Sequence, residues 1–138
     1  MDDTTLKSLL DTARTVAVVG LSTNPEKPSV AVAKVLLDAG YDVIPVHPTA
    51  TSILGRKAYP ALADIPVPVD IVDVFRPAHE APGIARQSVD IGAGTLWLQL
   101  GVTSDEARET AEGAGLHYVE DTCIGETTVR LGNTARGA

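Results

Sequence analysis

A chain of 138 residues, 44% hydrophobic and 21% charged, has the length and balance of one globular domain around a continuous apolar core. Its net charge of −7 excludes the broad basic surface that nucleic-acid phosphates require, and its single cysteine, Cys123, excludes a disulfide framework or a cysteine-cluster metal site. With one Phe, one Trp and three Tyr, that core must be aliphatic.

In chain order, Leu6, Leu9, Leu10 and Ala13 recur at helical spacing and predict a short opening helix. Val16 to Val19 is an unbroken apolar run closed by Gly20, as expected of a strand covered on both faces. The loop "GLSTNPEKPS", Gly20 to Ser29, leads into a helix expected to start at Ser29, to bury Val32, Val35 and Leu36, and to stop at Gly40. Val43 to Val46 is a second strand ended by Pro48, although Pro45 inside it cannot donate to a ladder. Between Thr49 and Pro68 lie a turn at Leu54-Gly55-Arg56 and the segment "YPALADIP", read as a short helical turn.

Val69 to Phe75 is the third strand. His79 to Ile91 is a helix in which Pro82 fits only the first turn. Leu96 to Leu100, Ser104 to Ala114 and Leu116 to Val119 complete the pattern as strand, helix and short fifth strand. Alternating strands and helices predict a three-layer, Rossmann-like α/β fold: a five-stranded parallel sheet in order 3-2-1-4-5 with helices on both faces. Such sheets bind ligands beyond the carboxyl ends of their strands, where the winding direction reverses. That rule selects the loops after Val19, Val46, Phe75, Leu100 and Val119.

No apolar run approaches a membrane span, and the polar start Met1-Asp2-Asp3-Thr4 is unlike a signal peptide, so a cytoplasmic location without membrane partners is expected. Charge is uneven. Between Gly20 and Lys57 the bases Lys27, Lys34, Arg56 and Lys57 outnumber Glu26, Asp38 and Asp42, whereas from Asp105 to Asp121 Arg108 stands alone among acids. An anion would therefore sit in the first half. The first loop fits two readings. It is a strand-to-helix turn made of ordinary turn residues, or it is an anion site built from backbone N–H groups, the hydroxyls of Ser22, Thr23 and Ser29, and Lys27. A Gly-Lys-Ser/Thr triplet is absent, which excludes the phosphate loop of ATPases. His47, Pro48 and Thr49 stand where an NAD protein places an acid on the ribose. A phosphorylated ribose would suit His47, Arg56 or Lys57 better.

Together, "VAVVGLSTNPEKPS", "YDVIPVHP", "LGRKAYPALADIPVPVDIVDVFRP" and "LWLQLGV" resemble the small stand-alone CoA-binding domain proteins. These are related to the CoA-binding domains of succinyl-CoA synthetase alpha subunits and ADP-forming acyl-CoA synthetases. The resemblance covers residues 15–131 of one domain spanning 1–138. It implies coenzyme A as ligand, with Gly20, Leu21, Ser22, Lys27, Pro28 and Ser29 cradling its phosphates. It further implies that Val46, His47, Pro48 and Thr49 border the adenosine part; the family more often has Asn where His47 stands. Phe75, Arg76 and Pro77 would flank the diphosphate, and Gln99, Leu100 and Gly101 would guide the pantetheine arm outward. A homodimer is a possible assembly. The family's Asp-Arg-Cys segment reads "EDTCIGETTVRL" here, with Thr122 in place of the arginine and a less basic tail.

Cys123 is either a small buried hydrophobe or a thiol that meets the thiol of CoA. Asp70 and Asp73, three apart on one strand, point to opposite faces and are read as structural. His79 is read as a surface or helix-end residue, His117 as a strand-edge residue, and Trp97 as core. No grouped nucleophile, acid or base is present. The related synthetases use a phosphohistidine in another domain and an ATP-grasp partner, both beyond this chain. The expected function is thus CoA or acyl-CoA binding without catalysis. A subunit of a larger acyl-CoA synthetase is the alternative, and an NAD(P)-binding oxidoreductase fragment the third reading.

Overall fold

A computed structural model describes residues 1–138. Helix α1 (Asp3–Thr12) opens the chain, its first turn capped by Asp2, whose carboxylate accepts from the Thr5 N–H at 2.9 Å. Strands β1 (Thr15–Val19) and β2 (Asp42–Val46) flank helix α2 (Pro28–Asp38). A hairpin, β3 (Ser52–Ile53) and β4 (Arg56–Lys57), turns at Leu54 and Gly55, both left-handed, and a 3-10 turn follows at Leu62–Asp64. Then come β5 (Ile71–Val74), α3 (Ala81–Asp90), β6 (Thr95–Leu98), α4 (Asp105–Gly113), β7 (His117–Val119) and α5 (Ile124–Arg130). Pro82 lies in the first turn of α3, where its missing N–H costs nothing.

The five main strands form one parallel sheet in order β2-β1-β5-β6-β7. Side chains alternate across it. Val16, Val18, Ile71, Trp97 and Val119 meet α1, α2 and α5 on one face; Ala17, Val72, Val74, Leu96 and Leu98 meet α3 and α4 on the other. The expected Rossmann-like class is therefore observed. One assignment within it changes. The place beside β2 belongs to a short segment at Tyr59, bridged in parallel to Val46, and not to the Val69–Phe75 strand, which becomes β5 on the other side of β1. With the Tyr59 segment counted third the order reads 3-2-1-4-5-6, the expected 3-2-1-4-5 winding carried one strand further. Burial explains the exchange: every residue of β5 is buried, which a central strand requires, whereas the short stretch at Tyr59 suits an edge. The same edge accommodates Pro45. Its carbonyl accepts from the Tyr59 N–H at 3.0 Å, so its missing donor faces that barely paired side rather than β1.

Helix α2 begins at Pro28, one residue before the expected start, and buries Ser29, Val30, Ala33 and Leu36. Val32 and Val35 are only half-buried. Val32 instead packs on Gly125 of α5, where a Cβ would approach its Cγ1 to 3.3 Å. Asp70 is structural as read: its carboxylate accepts from the N–H groups of Arg14 (2.8 Å) and Thr15 (3.0 Å) and so fixes the start of β1.

Asp73 is different. It lies in the sheet between Val18 and Trp97, fully buried, and neither carboxylate oxygen has a hydrogen-bond partner. Burial pushes its carboxyl well above the usual range, so the folded protein holds it protonated. The unfolded chain releases that proton near pH 4, so this group's contribution to stability is greatest below that pH and is lost as pH rises towards the folded titration. Each pH unit of that interval is worth about 1.4 kcal/mol. The Asp73→Asn variant should therefore gain on wild type as the pH rises from about 4 to about 7, measured by urea denaturation at both. A difference that does not vary with pH would show that Asp73 is not held neutral.

Candidate functional site

A groove of about 750 Å³ opens at the carboxyl ends of β1, β2 and β5. This is the reversal point of the sheet: α2 crosses from β1 to β2 over one face, and α3 leaves β5 over the other. Its walls come from Gly20 to Ser22, from Lys27 to Ser29, from Val46 to Pro48, and from Phe75 and Arg76. Volume and mixed lining are those of a small-molecule site.

The first loop is self-supporting. Ser22 Oγ accepts from the Asn24 N–H at 3.0 Å, and Asn24 Oδ1 accepts from the Glu26 N–H at 3.0 Å. Ser29 Oγ accepts from the Ser22 N–H at 3.0 Å, tying the start of α2 back to the loop. Both serine oxygens are thus occupied as acceptors, which leaves each hydroxyl its proton to donate. The N–H groups of Leu21 and Ser29 have no partner in the fold. Leu21's side chain is wholly in the core, so it meets the groove through its backbone. Lys27 is exposed beside these amides and forms no ion pair. Unpaired amides at a helix start beside one free ammonium are groups chemically able to hold an anion.

His47 serves the second loop as an asparagine would. Its Nδ1 accepts from the N–H groups of Thr49 (3.1 Å) and Ala50 (2.9 Å), closing the turn that Asn makes with its side-chain oxygen. With Nδ1 an acceptor, Nε2 carries the proton and is the free donor.

Gly20 is required by a close approach. Its φ is +93°, and a Cβ there would lie 2.9 Å from Cδ of Arg76 and 3.3 Å from the Phe75 carbonyl carbon. The Arg76 stem crosses directly over it. The guanidinium is held by Glu80: Nη2 donates to Oε2 at 2.7 Å, and Nε donates to both carboxylate oxygens at 3.2 Å. This pairing holds the Glu80 carboxyl below its usual range and raises Arg76 above its own. Glu80, Ile84 and Gln87 line the groove from the start of α3 onward, with Pro60 and Ala61 opposite.

A profile of the CoA binding domain matches residues 14–128. This chain belongs to the CoA-binding domain family. A curated relative, the uncharacterized protein YneT of Bacillus subtilis, is 40% identical over 119 residues, 86% of this chain and 88% of its own length. Acetate–CoA ligase [ADP-forming] II of Archaeoglobus fulgidus is 31% identical over 101 residues, which is 72% of this chain but 15% of the ligase. Among solved structures, a hypothetical protein from Pyrococcus horikoshii OT3 superimposes with a TM-score of 0.92 at 35% identity, covering 95% of this chain and 92% of its own.

Of the residues expected to form the site, the groove of this CoA-binding-family domain gathers Gly20, Leu21, Ser22, Lys27, Pro28, Ser29, Val46, His47, Pro48, Phe75 and Arg76. Thr49 and Pro77 are exposed beside it without lining it. Gln99, Leu100 and Gly101 stand elsewhere on the same sheet edge. Gln99 is buried, its Oε1 accepting from the Ile124 N–H at 2.9 Å to cap α5. Leu100 is exposed, and the Gly101 N–H donates to Asp121 at 2.7 Å. Cys123 is half-buried immediately before α5. Arg56 and Lys57 are outside the groove: Arg56 pairs with Asp42 and donates to the Val43 carbonyl, and Lys57 lies over the Tyr59 ring. His47 alone of the three suggested partners for a ribose phosphate remains at the site. Glu80, Ile84 and Gln87 were not singled out from sequence, although their spacing of four and three residues marks one helix face. No group of three or more His, Cys, Asp or Glu side chains is placed to hold a metal ion. No helix is long and apolar enough to cross a membrane.

Replacing Gly20 with alanine should cost about 1–3 kcal/mol of stability, because an L-residue must adopt the left-handed conformation and displace the Arg76 stem. Chemical denaturation reads this directly. An unchanged midpoint would mean that the loop relaxes freely around an added methyl group.

Proposed function

We propose that this protein binds coenzyme A, free or acylated, and carries out no chemistry of its own. The observation that supports this best is the groove at the sheet's reversal point, where three loops of a CoA-binding-family chain bring unpaired amides and two cations together. A helix start alone offers an anion only about 0.3–1 kcal/mol. Charge-assisted hydrogen bonds from Lys27 and Arg76 add about 1.5–3 kcal/mol each where they are shielded from water, and less in an open groove. The diphosphate therefore lies against Leu21, Ser29, Lys27 and Arg76, within reach of the Ser22 hydroxyl.

His47 and Pro48 border the adenosine. No acid stands at the end of β2 to claim the ribose hydroxyls, and the Nε2 proton of His47 suits a ribose phosphate. The pantetheine arm leaves along the sheet edge past Gln99, Leu100 and Gly101, where Leu100 offers 71% of its surface to solvent. In this reading Gln99 shapes the path without donating to the ligand, its side chain capping α5 and its N–H donating to the Val74 carbonyl. Thr49 and Pro77 flank the two mouths of the path, and Cys123 lies along its exit. The protein works in the cytoplasm, as a single chain or a homodimer, on a small-molecule partner and not on nucleic acid or membrane.

A second reading is supported by the 31% identity to an acetate–CoA ligase of which this chain matches only 15%. The protein would then supply the CoA-binding part of a larger acyl-CoA synthetase. Native co-purification separates the two: a dedicated second chain supports the subunit, and a pure oligomer of this chain supports the independent binder.

Calorimetric titration with CoA, dephospho-CoA, NAD and NADP tests the main reading. CoA should bind tightest and dephospho-CoA more weakly; tighter binding of NAD would overturn it. Lys27→Ala should weaken CoA about three- to ten-fold without changing stability, and should flatten the loss of affinity with added salt. Equal affinity in this variant would remove Lys27 from the site.

A further inference from the structure

The geometry points to Glu80 as a built-in counter-anion: it occupies the donors of Arg76 in the free protein and must give them up when a diphosphate arrives. The inference rests on the CoA reading above and adds to it a residue that sets affinity from within the groove.

Three observations carry it. First, Glu80 and Arg76 both line the groove, so an anionic side chain stands inside a site whose other charged side chain, Lys27, is cationic. Second, the contact is forked. The edge of the guanidinium that bears Nε and Nη2 faces both carboxylate oxygens, the arrangement in which arginine also takes a phosphate. A phosphate and the Glu80 carboxylate therefore compete for the same donors. Third, the Arg76 stem passes close over Gly20, with its Cδ 2.9 Å from where a Cβ would be, so its root lies beside the first loop. A head rooted there lies within reach of both Glu80 and the first loop.

The pair does little else. Its side chains are 47% and 35% exposed, a setting in which an ion pair adds little to folding stability. Nor is it a pair within one regular helix, since Arg76 precedes Pro77 and the 3-10 turn at Ala78–Glu80. The neighbouring His79, 80% exposed, reaches Glu80 only at 4.0 Å, and no other cation pairs with that carboxylate. Releasing Arg76 thus costs the ligand a weak contact and leaves one negative charge beside its phosphates. The consequence is a groove whose affinity for a diphosphate is held below what its cations alone would give.

Calorimetry on wild type, Glu80→Gln, Arg76→Ala and the double variant, with CoA and with inorganic pyrophosphate, tests this. Glu80→Gln should bind both probes about three- to ten-fold more tightly and depend more steeply on salt. In the Arg76→Ala background the same change should gain much less, because no donor is left to release. Thermal unfolding of each variant confirms that it is folded. If wild type binds CoA but Glu80→Gln binds it equally or more weakly, Glu80 orients Arg76 and the inference fails while the CoA reading stands. An equal gain with and without Arg76 would reduce Glu80 to a distant charge and also overturn it. Should neither wild type nor Glu80→Gln bind CoA, both readings fall.

Discussion

Parallel strands cannot be joined by tight turns, so each must hand the chain to a crossover that covers one face of the sheet. In this protein the crossover after β1 covers one face and that after β5 covers the other, while β1 and β5 lie side by side. Their carboxyl ends consequently diverge and leave a crevice that no element of the chain fills. The residues around it sit there because of that divergence. The start of α2, the turn after β2 and the head of α3 reach one groove although they are up to sixty residues apart.

Within the crevice, the small polar side chains are committed to shape and backbone N–H groups are left without partners. Ser22, Asn24, Ser29 and His47 each accept a loop N–H. A loop held by its own side chains keeps its unpaired amides in position before a ligand arrives, which lowers the ordering cost of binding. His47 shows how an unusual residue enters such a frame. An imidazole nitrogen at the reach of an asparagine oxygen preserves the turn and adds a ring N–H directed elsewhere.

The sheet pays for regularity at one point. Asp73 interrupts the apolar face between Val18 and Trp97 without a hydrogen bond, in a layer where Ile71 and Val119 are its neighbours in kind. Propensity, burial and pairing all favour β5 as a central strand, and the acid is held there by that agreement among its neighbours. Trp97 next to it is better provided for, its indole N–H donating to the Thr122 carbonyl at 2.8 Å.

Much of this was legible in the chain itself. The unbroken apolar run Val16 to Val19 marked β1, mostly apolar stretches marked β5 and β6, Gly20 and Gly40 bounded the α2 unit, and Pro82 marked the first turn of α3, because these are properties of adjacent residues. The loops after β1, β2 and β5 were likewise readable as meeting at one place, together with the missing acid after β2. Tertiary structure decided the rest. It set the Tyr59 segment, rather than Val69–Phe75, beside β2, since pairing depends on how many faces of a strand are covered and not on its own pattern. It turned Gln99 towards α5 and Arg76 towards Glu80, and it took Arg56 and Lys57 away from the groove. A sequence records which groups can donate and accept; which of them meet is settled only when distant segments compete for the same partner.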